Sequence, residues 1–248
     1  MVPTLDLTFY ISSLFILQID PAQASLAAAR RAFLPPFDET AQQPHKVFSA
    51  REIAEDDLWG NVSRVTDAVT KKEGDWRDNL TSRGFWFKSI KKLLNGIHLE
   101  DRSASTQIKT AILLNGMMKF HQNANKSFFY GTPEELAKKF AISNDMAPRF
   151  LELFAVKTND RGKDGYSITK PLKDKRMIHL LILYLLAHGR DMKVPSIDMF
   201  CDDLQMEVNI ASMLLREAGC NVNKTKGGTS VSLKAPINFP PPRRGKRP

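Results

Sequence analysis

The chain has 248 residues, of which 42% are hydrophobic and 25% are charged, values typical of a globular protein with one or two domains. Thirty-six Lys and Arg residues against 27 Asp and Glu residues give a net charge of +9, which favours polyanionic partners, either nucleic acid or an anionic membrane surface. Two cysteines, Cys201 and Cys220, exclude a disulfide-rich scaffold, and five scattered histidines exclude a zinc site with regular ligand spacing.

The first 26 residues form an apolar N-terminus without an assigned role. Residues 5–19 are mostly apolar, and Ala22 and Ala24 resemble a small-residue cleavage site. A secretory signal begins with positive charge, whereas here Asp6 is present and no Lys or Arg precedes Arg30. The run is also short for a membrane span. We interpret it as a local packing helix or as sequence foreign to the protein, with a signal peptide as the alternative.

Residues 27–100 are predicted to be a linker with a helical segment. Pro35 and Pro36 end any helix that precedes them, and Pro44 breaks the next stretch. Residues 61–100 interleave aromatic and basic side chains, a pattern that can stack bases and hold phosphates. A helix with an aromatic core face and a solvated basic face explains the same pattern, and we adopt that simpler interpretation.

Residues 101–170 predict a first winged helix. Apolar side chains follow helical spacing over residues 105–121. Thr132 and Pro133 begin a second helix with acids in its first turn, and residues 143–145 cap a third. Strand-like pieces near residues 155–157 and 166–168 flank a polar turn. Three helices followed by a hairpin is the winged-helix order.

Residues 171–234 predict a second winged helix with the same order. We expect a long helix over residues 171–188, a short helix that Pro195 opens, and a third helix over residues 207–218. Gly219 follows at the position where helices often end in a left-handed residue. A hairpin loop at residues 224–229 completes the unit. The predicted fold class is therefore mainly α with small β-hairpins, in a tandem winged-helix arrangement.

The two units also suggest an internal repeat. Placing Pro133 on Pro195 places Leu151 on Met213, an offset of about 62 positions. Residues 235–248 then form a basic, proline-rich tail, for which a disordered, solubilising role is the simplest alternative.

No catalytic constellation is visible in the sequence. Residues 226–230 superficially resemble a phosphate-binding loop but lack its spacing, and no dinucleotide-binding glycine motif follows a strand. The acidic pairs, Glu134 with Glu135 and Asp202 with Asp203, have no histidine or third carboxylate nearby in sequence. We therefore expect no enzyme activity, no metal and no cofactor.

Several stretches together resemble one known family. Residues 29–38, with Val47, Phe48 and Ile53, resemble the linker before the tandem winged helices of the forty-nine-kilodalton subunit family of RNA polymerase I. Residues 176–220 resemble that family's second winged helix, and residues 235–248 its C-terminal signature. The resemblance covers about residues 27–248, and its linker and tail are the most specific parts.

The resemblance implies a nuclear, nucleolar protein without an active site of its own. It implies a subunit of RNA polymerase I that supports initiation and elongation on ribosomal RNA genes, with the core subunits and DNA as partners. The family also has an N-terminal β-rich module that dimerises with a second specific subunit. Residues 1–26 are too short for that module, so the resemblance does not extend to dimerisation.

The predicted third helices are poor readers of base edges, because they offer Arg149 with Glu152 and Arg216 with Glu217. The other cations suit phosphate contact without sequence readout. The alternative is a winged-helix protein-docking scaffold without DNA binding, and a third hypothesis, a secreted or membrane-anchored protein, rests only on residues 5–24. The candidate DNA-binding residues are Lys173, Lys175, Arg176, Arg216, Lys224, Lys226, Arg243, Arg244, Lys246 and Arg247.

Overall fold

The computed structural model describes residue 28 and residues 31–124, 128–160 and 163–239. The predictions for residues 1–26 lie outside the described residues. So do the four cations of the tail, Arg243, Arg244, Lys246 and Arg247.

Helices occupy much of the region predicted to be a linker. Residues 50–60 form the first half of a helix, because Ser49 accepts a hydrogen bond from the Glu52 N–H at 3.4 Å and Ile53 and Leu58 are buried. This helix bends at Glu55, whose φ is 65°. The helices are α1 (Pro44–Val47), α2 (Ala50–Thr70), α3 (Trp76–Thr81) and α4 (Lys88–Asn95).

The first predicted unit contains three helices and a three-stranded sheet. Its elements are α5 (Ala104–Asn123), β1 (Phe128–Tyr130), α6 (Pro133–Phe140), α7 (Met146–Phe154), β2 (Val156–Asp160) and β3 (Lys163–Ser167). The strands are antiparallel in the order β1-β3-β2, with Phe129 opposite Tyr166 and Val156 opposite Ser167. A hairpin lies where it was predicted, but its strands are longer and include most of the predicted polar turn. Strand β1 was not predicted, since three residues are too few to show an alternating pattern.

The second unit repeats this order of elements. It consists of α8 (Lys170–Ala187), β4 (Lys193–Val194), α9 (Asp198–Asp203), α10 (Val208–Glu217), β5 (Asn221–Thr225) and β6 (Gly228–Ser232), with strand order β4-β6-β5. Pro195 does not open a helix; it follows β4, and α9 begins at Asp198. Gly219 has the predicted left-handed conformation, with φ of 80°. The predicted mainly α fold with small β-hairpins is confirmed.

The repeat is present, but part of its register differs from the predicted one. Val156 and Asn221 begin corresponding strands, 65 positions apart, whereas α7 and α10 begin 62 positions apart. Leu151 and Met213 therefore hold the predicted equivalent position in α7 and α10, but Leu151 is 2% exposed and Met213 is 40% exposed, so their side chains differ in burial. The segment between the second and third helices also differs in length, with five residues (141–145) in the first unit and four (204–207) in the second.

One hydrophobic core joins the helical segment to both units. The long helices α5 and α8 pack against each other, and α2 packs along α5. On α5, buried Asn115 accepts a hydrogen bond from the Phe87 N–H at 3.3 Å and donates to the Phe85 carbonyl at 3.2 Å. The Asp203 carboxylate accepts from the Ser89 N–H at 2.8 Å, which caps α4 from the second unit. Residues 44–95 are therefore part of the fold.

The beginning of the predicted tail also packs against the rest of the molecule. Ala235, Ile237 and Phe239 are partly buried against the core. The ring of Phe239 meets that of Phe37 edge to face, with 5.2 Å between centroids. Within the described ranges, no helix is both long and apolar enough to cross a membrane.

Candidate nucleic-acid interface

The hairpin β5–β6 is held against α10 by a side-chain contact. Lys224 on β5 donates from Nζ to Oδ1 of Asn209 on α10, at 2.8 Å. Lys224 is exposed, as are Lys226 in the hairpin turn and Arg216 on α10. Three of the predicted DNA-binding cations are thus presented by one hairpin and the helix against which it packs. We call Asn209, Arg216, Lys224 and Lys226 the wing surface.

The exposed side of α10 is more apolar than a base-reading helix. Ile210 is 44% exposed and Met213 is 40% exposed, and both lie between Asn209 and Arg216 on the helix. Asn209 was missed in the sequence analysis although its amide is of the type that pairs with adenine. Here its oxygen already accepts from Lys224. The arrangement suits contact with phosphates better than recognition of bases.

Lys173 and Lys175, near the start of α8, are half-buried. Lys175 lines a cavity of about 380 Å³ together with Arg149 of α7 and with Arg31 of residues 31–60, which we call the N-terminal segment. Burial, and to a smaller degree the charge of Arg149, lowers the pKa of Lys175. Lys175 therefore lies near α7 and the N-terminal segment. Lys173 lies on the same helix, two residues earlier.

Arg176 was predicted to be an exposed cation, but the structure buries it. Its side chain is 1% exposed, with Nη1 donating to the Ala124 carbonyl at 3.5 Å and the guanidinium 5.5 Å from the centroid of the Phe120 ring. Burial lowers the pKa of Arg176 to about 10. In this position the guanidinium lies between α8 and α5 and is covered from solvent.

The third helix of the first unit is covered by α2, so the prediction that it exposes Arg149 is wrong. The Arg149 side chain is 12% exposed, and its Nε donates to the Ile53 carbonyl at 2.9 Å. Its Nη1 pairs with Glu55 at 2.6 Å and with exposed Glu152 at 2.8 Å. The kink of α2 at Glu55 brings this carboxylate to Arg149. The α7 side that carries Arg149 is therefore occupied from within the chain.

A second basic region was not predicted. Lys46, Arg51, Arg102 and Arg190 surround a cavity of about 560 Å³ between the N-terminal segment, α5 and the end of α8. We call it the basic cavity. Its cations are far apart in the sequence, so no local pattern could have indicated that they converge.

Two histidines and both cysteines in the described part of the chain are in their neutral forms near pH 7. Burial lowers the pKa of His121 and of His179 to about 3 and raises the pKa of both Cys201 and Cys220 to about 12. The same part of the chain holds no cluster of His, Cys, Asp and Glu suited to a metal ion. Both cysteines are buried and free, and they pack as small apolar residues.

One comparison with known proteins, with family models, agrees with the resemblance found in the sequence. No curated protein matches the chain at a significant level. A family model described as A49-like RNA polymerase I associated factor matches residues 17–240, which include the N-terminal segment, both repeated units and the segment that packs on Phe37. Because this match covers most of the residues, the chain belongs to the A49-like RNA polymerase I associated factor family.

Proposed function

We propose that the chain is a non-catalytic subunit of RNA polymerase I that supports initiation and elongation on ribosomal RNA genes. Family membership supports association with this polymerase, and with it a location in the nucleus and nucleolus. The core subunits of the polymerase are the proposed protein partners. The helix-strand-helix-helix-strand-strand order of each unit supports a tandem winged helix, a module that other proteins use to bind nucleic acid.

The proposed DNA contact lies on the second unit. The observation that carries it is the Lys224–Asn209 hydrogen bond, which fixes the hairpin beside α10 and so places exposed cations next to a third helix. Half or more of the hydrogen bonds in protein–DNA complexes go to phosphate and sugar, and these fix position without reading sequence. The first unit contributes less, because α2 covers the Arg149 side of α7. Binding is therefore weak and nearly independent of sequence.

A salt titration tests this proposal. Binding of a fluorescein-labelled DNA duplex is followed by anisotropy between 50 and 200 mM salt. The affinity falls by about 0.9 log units per log unit of salt for each phosphate contact. The double variant Lys224→Ala with Lys226→Ala flattens the slope by about two units and leaves the ranking of different duplexes unchanged. Lys138→Ala with Lys139→Ala removes two exposed cations from α6 and serves as the control of equal charge.

A protein-docking scaffold is the second candidate function. The exposure of Ile210 and Met213 on α10 favours it, because neighbouring apolar side chains on a surface often mark a protein interface. A scaffold without DNA binding gives negligible affinity at 150 mM salt, a flat salt response, and unchanged recovery of polymerase subunits with the Lys224 and Lys226 double variant. That result, or strong preference for one sequence, would contradict the DNA-binding proposal.

A further inference from the structure

The basic cavity is a separate feature from the wing surface. Its walls come from the N-terminal segment, from the first turns of α5 and from the residues after α8, whereas the wing surface comes from α10, β5 and the hairpin turn. Its volume of about 560 Å³ lies within the range of cavities that hold small ligands or a few side chains. The proposed DNA contact does not use it.

The charged side chains that line the cavity are mostly positive, with four cations and one carboxylate. Arg51 pairs with exposed Asp56 at 2.7 Å, while the described residues provide no ion-pair partner for Lys46, Arg102 or Arg190. Asp38 also lines the cavity, and its carboxylate accepts from the Thr40 N–H at 2.8 Å and from the Thr40 hydroxyl at 2.7 Å. The cavity therefore favours an occupant with several negative charges.

The positive charge of two of these cations also affects the pKa of a neighbouring histidine. The pKa of His45 lies below its usual value, because burial and then the charges of Arg190 and Lys46 disfavour its protonated form. His45 also lines the cavity, so this positive potential extends to its wall.

The floor of the cavity is apolar. Partly exposed Trp59 and Leu186 line it, together with buried Phe48 and Ala50. A fitting occupant therefore carries an apolar group for the floor and anionic groups for the rim. Three of the four rim cations are arginines, whose planar guanidinium groups form paired hydrogen bonds with a carboxylate or a phosphate.

We propose that the basic cavity binds a short acidic segment of a partner protein, with one apolar side chain on the floor and carboxylates on the rim arginines. The cavity favours a peptide over a nucleic-acid strand because it lacks a free stacking platform. The Trp59 ring already faces Lys109, whose Nζ is 5.9 Å from the ring centroid, and Phe48 is too deeply buried to stack on a base.

Peptide binding to the full chain tests this site. The probe is a fluorescein-labelled peptide of ten glutamates with one central phenylalanine, and its affinity is measured by anisotropy. Arg102→Gln with Arg190→Gln weakens binding about tenfold, mainly through slower association, as expected for rim charges. Lys138→Gln with Lys139→Gln, which removes the same charge from α6, leaves the affinity within about twofold of the wild type. Replacing all glutamates of the peptide by glutamine abolishes binding.

Hydrogen exchange on the unmodified protein gives an independent measurement should the double variant fold poorly. The acidic peptide protects residues 45–51, 102–107 and 186–190 and leaves residues 221–228 unchanged. Equal binding of the glutamine peptide, or protection confined to the wing surface, would overturn the proposal. It would also be overturned if the arginine variant lost affinity for a single-stranded oligonucleotide of equal charge and kept its affinity for the peptide. A failed DNA titration does not affect these results, since the two sites share no residue.

Discussion

Phe37 and Phe239 pack edge to face near opposite ends of the described chain, with 5.2 Å between ring centroids. Phe37 also pairs through its backbone with Phe48 and packs on the Phe48 ring at 6.1 Å. The two segments that gave the sequence its most specific resemblance to a family are therefore in contact. Both segments thus have a structural role, because their aromatic rings pack against each other.

This contact predicts a measurable coupling. Phe37→Ala and Phe239→Ala each lower the free energy of unfolding by about 1–3 kcal/mol, and the double variant loses less than the sum by about 0.5–1.5 kcal/mol. Urea unfolding followed by tryptophan fluorescence measures all three. Ile210→Ala, at an exposed position, is the control and changes stability by less than about 0.5 kcal/mol. Strict additivity would show that the two rings do not interact.

Thr132 predicts a helix-capping effect. Its hydroxyl accepts from the Glu135 N–H at 3.3 Å, and the Glu135 carboxylate accepts from the Thr132 N–H at 2.9 Å, which completes a capping box. Thr132→Ala therefore lowers the free energy of unfolding by about 1 kcal/mol. Asp145 precedes α7 without a side-chain capping bond, so Asp145→Ala costs clearly less. Equal losses in urea unfolding would contradict this assignment.

His179 predicts a loss of stability in acid. Burial lowers its pKa to about 3 in the folded protein, against about 6.5 in an unfolded chain. Above pH 6.5 the imidazole is neutral in both states, so its burial causes no pH-dependent loss of stability. Between pH 6.5 and 3 the unfolded state binds a proton that the folded state does not. At pH 5 this costs about 2 kcal/mol. His179→Gln reduces the difference in unfolding free energy between pH 7 and pH 5 by about that amount, and an unchanged difference would contradict the assignment.

Arg176 predicts a separation of stability from DNA binding. Among the described residues its Nε has no hydrogen-bond partner and its Nη1 makes one long bond, so Arg176→Met leaves stability unchanged or raises it by about 1 kcal/mol. The salt slope of DNA binding stays at the wild-type value in the titration. A slope flattened by about one unit, as for a residue that contacts phosphate, would show that Arg176 leaves the interior on binding.

The sequence predicted best where the signal was local. Thr132-Pro133 with two following acids marked the start of α6, and Gly219 marked the end of α10, because caps depend on residues within one turn. Arg176 was assigned to the surface because it ends a charged run. Its spacing of four from Leu172 and Leu180 places it on an apolar side of α8. This spacing indicated burial, but the prediction gave more weight to the charge of the side chain.

Other features depended on contacts between distant segments. The covering of α7 by α2 follows from a kink at Glu55 and from hydrogen bonds to Arg149, neither of which has a local pattern. The basic cavity likewise combines Lys46, Arg102 and Arg190 from three parts of the chain. Single-sequence periodicity describes how a helix distributes its own side chains. It does not state which other element will cover them.

The carboxylate of Asp203 caps α4 across 114 positions of the chain, and this has a consequence for the order of assembly. During synthesis the ribosome releases α4 well before the residue that completes its first turn. A helix of eight residues is marginal on its own in water, so α4 gains its full stability only after the second unit has folded. A helix near the N-terminus, which is synthesised early, is thus stabilised last, by a residue of the C-terminal unit.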